Sequence, residues 1–288
     1  MSATEHEVAE FANRGKNLVS KLTGAAAGSI IGTTLAGPIG AVVGSVAGVF
    51  LEFQMTRALG EFASRRLSER QAMRASAGIT LLGGSLKLKI ENGAQLRSDG
   101  FIESEQFEHN FSNEFIEHAI EAMMASIEER KIIFVSNFFV NVMLKSDIDR
   151  ESFPSQVQTL SELSYRDLCI MKVISEKKDG QYSARPDDGN QGDFSFLAET
   201  LCRDVYRLIQ LGLIVSQSDQ ASHLNAVLGY DDIEPMELRP NRSGQLFYDY
   251  LELSSLNDED DVYKNCMQLL LEISNHPQNS NALNGGTY

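Results

Sequence analysis

Four residues combine metal-binding side chains with helical spacing: Glu114, Glu117, His118 and Glu121. Glu114 and His118 stand four apart, as do Glu117 and Glu121, so one helix face would offer a cation several carboxylates and an imidazole. A di-iron bundle needs a Glu-x-x-His motif from each of two helices, and that motif does not occur in the chain. Glutamates beside one histidine more often form a solvated face, so we expect neither a metal nor a cofactor. Cys169, Cys202 and Cys266 show no CxxC or zinc spacing, and their odd count argues against a disulfide framework. They fit a reducing, cytoplasmic compartment. Neither G-x-S-x-G nor H-E-x-x-H is present, and no glycine run leads into the lysine of a phosphate-binding loop. The expectation is a protein without a catalytic site.

Position matters more than reactivity in the stretch from Leu22 to Leu51, which holds no charged side chain although 23% of the chain is charged. Small residues recur there at every fourth position: Gly24, Gly28, Gly32, Ala36, Gly40, Gly44 and Gly48. On a helix that period leaves one strip of surface bare, where a second helix can approach to backbone contact. Gly37 and Pro38 interrupt the run and form its hinge, because proline cannot donate to the carbonyl four residues back and clashes with it. The stretch reads as one kinked helix or as a hairpin of two, about 22–36 and 39–56. One continuous helix would be long enough to cross a bilayer core; each arm alone would not. The sequence GAAAGSIIGTTLAGPIGAVVGSVAG resembles the glycine-zipper segments of bacterial membrane and pore-forming proteins. That resemblance implies self-association through Gly24, Gly28, Gly32, Gly40, Gly44 and Gly48, with conditional insertion into lipid. The alternative is a soluble hairpin docked on its neighbours.

Other elements frame this one. Residues 4–22 read as an amphipathic helix with Thr4 and Glu7 in a capping box, and acidic residues precede any apolar run, unlike a secretory signal. Arg57, Arg65, Arg66, Arg70 and Arg74 follow the zipper, which suits a cytoplasmic membrane face or an ordinary solvated helix. Residues 77–91 carry two patterns. Leu86, Leu88 and Ile90 alternate with lysines as in a strand, whereas Leu82, Leu86 and Ile90 are spaced as on a helix; Asn92-Gly93 ends either. From Ser112 to Lys145 an apolar face predicts one long central helix or two.

The final part predicts helices at 155–162 and 165–177, the second capped by Ser164 with Asp167. The polar stretch KKDGQYSARPDDGNQG then reads as a loop. A helix over 195–211 stops at Gly212, and extended segments are expected at 213–216, 223–228 and 236–238. Asn241 to Gly244 turns into a helix through Leu253, one amphipathic helix follows to about Ser274, and a polar tail closes the chain. The order of elements, with "LIQLGLIVSQ" and "LRPNRSGQLFYDYL" at its joints, resembles a winged-helix fold. More faintly, "NGAQLRSDGF", "EERKIIFVSNFFVNV" and "LSELSYRDLCIMKVI" resemble helical bacterial proteins of the abortive-infection, phage-defence type, which implies an effector or sensor and transfers no active site.

The predicted class is therefore mainly α: a zipper hairpin and helical core followed by a winged-helix-like α+β module. We expect 1–76 to hold the amphipathic helix and zipper, 77–154 the helical core, 155–275 the winged-helix-like module and 276–288 a loose tail. Charge separates the parts. Residues 1–100 carry 11 basic and 8 acidic side chains, net +3, and residues 101–288 carry 14 and 32, net −18. Arg203, Arg207, Arg239 and Arg242 would be the arginines of a recognition helix and wing, yet residues 155–288 hold 10 basic against 21 acidic side chains. A DNA-reading module presents a basic face, so the charge disfavours nucleic acid. The expected partners are a second copy through the zipper, membrane lipid, and a protein for the acidic module. The expected location is the cytoplasm, at or in the inner membrane when the zipper engages.

Overall fold

A computed structural model describes residues 68–102, 111–178, 195–216, 233 and 235–274. The chain divides between Glu162 and Leu163 into two compact units, and the described residues are mainly helical: eight α-helices and one two-stranded sheet. The amphipathic helix expected over 4–22, the zipper with its Gly37–Pro38 hinge, the extended stretch 223–228, most of the polar loop and the tail lie outside the described residues.

The first unit begins with α1 (Glu69–Glu91), opened by a capping box in which Ser68 and Gln71 bond each other's backbone amides. Residues 77–91, which the sequence left between strand and helix, are helix. Ile79, Leu82 and Leu86 are buried, while Leu88, which an alternating strand would have to bury with Leu86, is only half-buried. The helix ends where Gly93 takes φ +93°. The Gly93 amide then reaches Ile90 O and the Ala94 amide Lys89 O, a Schellman arrangement that satisfies the last carbonyls.

The apolar run from Ser112 to Lys145 forms two helices, α2 (Phe111–Ala125) and α3 (Ile132–Leu144), parted by a 3-10 turn over Glu129–Lys131. Before the break the Ser126 hydroxyl donates to Ala122 O at 2.8 Å. α4 (Phe153–Glu162) completes the unit. Both α2 and α3 pack on α1. Gly78 allows this approach, since a Cβ there would lie 2.6 Å from Met123 Cγ of α2, and the Ser136 hydroxyl of α3 donates to Gly78 O at 3.1 Å. Phe101, Phe115, Phe139 and Phe153 gather into an aromatic cluster with centroid separations of 5.2 to 6.1 Å. Edge-to-face and offset contacts of this kind add to the gain from burial.

The second unit contains α5 (Tyr165–Glu176), α6 (Phe196–Gln210), strands β1 (Ile214–Ser216) and β2 (Leu238–Pro240), α7 (Arg242–Leu251) and α8 (Asp261–Ser274). α6 ends at Gly212, with φ +67°, in a second Schellman arrangement. β1 and β2 pair antiparallel, Val215 opposite Arg239. Asn241 caps α7 through the Gly244 amide at 2.9 Å and donates to Gly212 O at 2.6 Å. Only glycine fits at 244, because a Cβ would fall 1.9 Å from Leu213 O. α5 packs on α6, α7, α8 and β2, and so forms the centre of the unit.

Candidate functional site

The six zipper glycines and the Gly37–Pro38 hinge, the residues to which the sequence assigns the function, lie outside the described residues. Within them, two clusters of charged side chains lie in the second unit.

The first place is where α5 meets α6. Asp167 is fully buried at the first turn of α5. One carboxylate oxygen accepts from the Ser164 amide at 2.6 Å and from its hydroxyl at 2.7 Å, and the same oxygen accepts from Arg207 of α6. A carboxylate at a helix N-terminus meets unsatisfied amides and the positive end of the helix dipole. Beside it, Arg166 pairs with Asp204 at 3.3 Å, and Arg207 approaches Asp204 at 3.8 Å. Two arginines and two aspartates therefore alternate across the helix interface. Burial pushes the Asp204 carboxyl above the usual carboxylate range, and the surrounding arginines only partly oppose that. Cys266 of α8 lies next to Arg166, and burial raises its thiol to about 11. Cys169 and Cys202 are also buried and free. Inert thiols and paired charges of this kind hold helices together; a cysteine nucleophile would need a thiolate.

At the second place Lys172 of α5 is only 2% exposed. Its ammonium donates to Leu256 O and to Asp258, both at 2.6 Å, and faces the Tyr263 ring at 5.1 Å. Burial, with Glu176 and Asp258 nearby, pushes the Tyr263 hydroxyl up to about 12. Tyr248 donates to Glu176 at 2.5 Å, and burial together with that carboxylate raises its hydroxyl as well. This lysine clasps the turn after α7 to α5.

Of the arginines suggested for DNA contact, Arg203, Arg207 and Arg239 have partners on the protein itself. Arg203 lies 3.4 Å from Glu199 on its own helix, Arg207 holds Asp167, and Arg239 donates to Met236 O and Leu238 O. Arg242 starts α7 on the surface. On α2, Glu114 and Glu121 are exposed, and His118 is half-buried with its ring edge toward Phe153. Among the described residues no three His, Cys, Asp or Glu side chains gather as a metal would require. No described helix is long and apolar enough to cross a membrane.

Sequence reasoning found Ser164 and Asp167 as a cap but missed the Arg207 partner, which is 40 residues away and on another helix. It also missed the buried lysines, Lys131 and Lys172. Nothing in the local pattern marks a lysine for burial. No family model, curated protein or solved structure matches the chain.

Proposed function

We propose that the protein is a non-enzymatic effector whose glycine zipper mediates self-association and conditional membrane insertion, while its acidic C-terminal unit binds a protein partner. The observation that carries this reading is the uncharged run from Leu22 to Leu51 with a small residue at every fourth position. Gly78 supports it by example: the same chain already uses a helical glycine to bring two neighbouring helices to its backbone. The charge asymmetry supports it too, because a segment of net +3 can approach an anionic surface while a body of net −18 stays off it. In a resting state the zipper strips pack against protein; a trigger then releases them to lipid. A bacterial abortive-infection role accords with the resemblance noted above.

The test is flotation of the full-length protein with anionic liposomes, with dye leakage read in parallel. Gly32→Leu combined with Gly44→Leu should abolish both, because leucine holds the backbones apart. Wild-type flotation and leakage in that double variant would sink the proposal.

A second reading, a soluble winged-helix regulator or adaptor with the zipper as core, draws on one observation. The order of α6, antiparallel β1 and β2, then α7 accords with a helix followed by a wing. A gel-shift assay at low and moderate salt separates the two, since real phosphate contacts appear and then weaken as salt rises.

A further inference from the structure

α1 is withdrawn from water on two sides. Arg74, Gly78, Leu82 and Lys89 follow one line along it, and that line meets α2 and α3. Arg74 donates to Ile127 O at 3.1 Å, just past α2, a Cβ on Gly78 would strike Met123, and Lys89 donates to Asn141 of α3 at 2.9 Å. Ser76, Thr80 and Gly84 each stand two residues from a member of that line. Two residues turn an α-helix by about 200°, so these three mark the opposite face. They are buried nonetheless: Ser76 is 5% exposed, Thr80 7% and Ala77 beside them 6%, and Gly83 and Gly84 are buried too. Among the described elements α2 and α3 are the helices that pack closely on α1, and both meet it along the first line. The burial is that of a single chain, so the cover of the second face comes from the chain itself.

That face suits close approach. Its side chains are small, and the Thr80 hydroxyl turns back to Ser76 O at 2.8 Å, so it asks nothing of a partner. Ala72, Ser76, Thr80 and Gly84 repeat the zipper's period of four, and the arm 39–56 carries no charge from Ile39 to Leu51. Residues 57–67 join that arm to Ser68 and can span up to about 36 Å, whereas Thr80 lies only about 18 Å along the helix from Ser68. The arm can therefore fold back over the face. We propose that in the resting chain the zipper arm 39–56 docks through Gly40, Gly44 and Gly48 on the face of α1 that holds Ser76, Thr80 and Gly84. This rests on the reading that the zipper packs on protein before it meets lipid. Glycines laid against small side chains bring two backbones to contact, and docking keeps an uncharged arm from water until it is released.

Thiol accessibility in the full-length protein tests this, because Cys169, Cys202 and Cys266 are buried. Thr80→Cys places a thiol on the docking face, and Leu82→Cys places one on the line toward α2 and α3. Both should react slowly with a maleimide. Adding Gly40→Leu and Gly44→Leu should speed labelling of Thr80→Cys by about tenfold or more and leave Leu82→Cys slow. Equal labelling of Thr80→Cys with and without the leucines overturns the proposal, as does fast labelling in the chain that lacks them. Acceleration at both positions overturns it too, since the arm would then belong to one core rather than to a layer on one face. If dilution alone accelerates Thr80→Cys, a second copy is the occupant and the proposal fails. Liposome flotation of the same variants keeps the two readings apart. Loss of cover with flotation and leakage intact leaves the docking face standing and removes the zipper from the membrane; unchanged cover with flotation abolished does the reverse.

Discussion

Asp204 concentrates the electrostatics of the second unit in one side chain. Its folded-state pKa is raised, mainly by burial, so between the ordinary value of 3.8 and the raised value the folded chain holds more protons than the unfolded chain. Stability therefore falls as pH rises through that window. The contribution is fullest below 3.8, the reverse of Asp99, whose pKa the Arg97 side chain lowers. Asp204→Asn removes the titration. Its stability relative to wild type should thus increase with pH across the acidic range, measured by urea denaturation at a series of pH values. A difference that does not change with pH would refute the assignment. At this scale the sequence was partly legible. Ser164 and Asp167 sit at cap spacing and form that cap, because capping is local. The pairing of Asp167 with Arg207 and of Arg166 with Asp204 depends on how two helices lie side by side, which no local pattern encodes.

Helices were legible where one periodicity was strong and ambiguous where two coincided. Over 77–91 the i, i+4 spacing prevailed because α2 and α3 cover one side of α1 and bury Ile79, Leu82 and Leu86. The long run after Ser112, which the sequence read as one helix or two, is two helices, parted where Ser126 and the polar turn Glu129–Lys131 intervene. Gly78 shows why a residue that costs about 1 kcal/mol in a helix interior relative to alanine is placed there: it gives Met123 and Ser136 access to the backbone. Gly78→Leu should destabilise the first unit by about 1–3 kcal/mol through overpacking. Met123→Ala in the same chain should recover part of that loss, because it clears the space the leucine needs. Chemical denaturation of the single and double variants checks the pair, and additive losses would show that Gly78 and Met123 are not coupled.

At the scale of the whole molecule, the mainly helical class could be read from the sequence, and so could the strand at 213–216. The strand expected at 236–238 lies at Leu238–Pro240 instead, and the extended stretch at 223–228 is outside the described residues. The exposure of Phe196 and Leu197 could not be read. A helix start written FLAETLC has the same apolar content whether its first two residues face a core or water, and only tertiary packing decides. Net charge is global as well, yet composition alone does not say which cations meet solvent. Arg97 donates to Val142 O and Ile148 O, Arg150 to Phe101 O, and Lys177 to Pro235 O and Met236 O. Among the described residues these positive charges are turned onto carbonyls.

That inward turn gives each unit its own reporter amine. Lys131 donates to Leu160 O at 2.6 Å and is 4% exposed, and Lys172 is clasped as described. An acylating reagent needs a solvent-accessible amine, so both lysines should stay unlabelled while exposed Lys178 reacts. Mass spectrometry over a denaturant series would then show Lys131 acylated when the first unit opens and Lys172 when the second does. Labelling of either at the rate of Lys178 under native conditions would contradict its burial. Two lysines placed to satisfy carbonyls thereby become clocks, one for each half of the chain, that tell which half lets go first as denaturant rises.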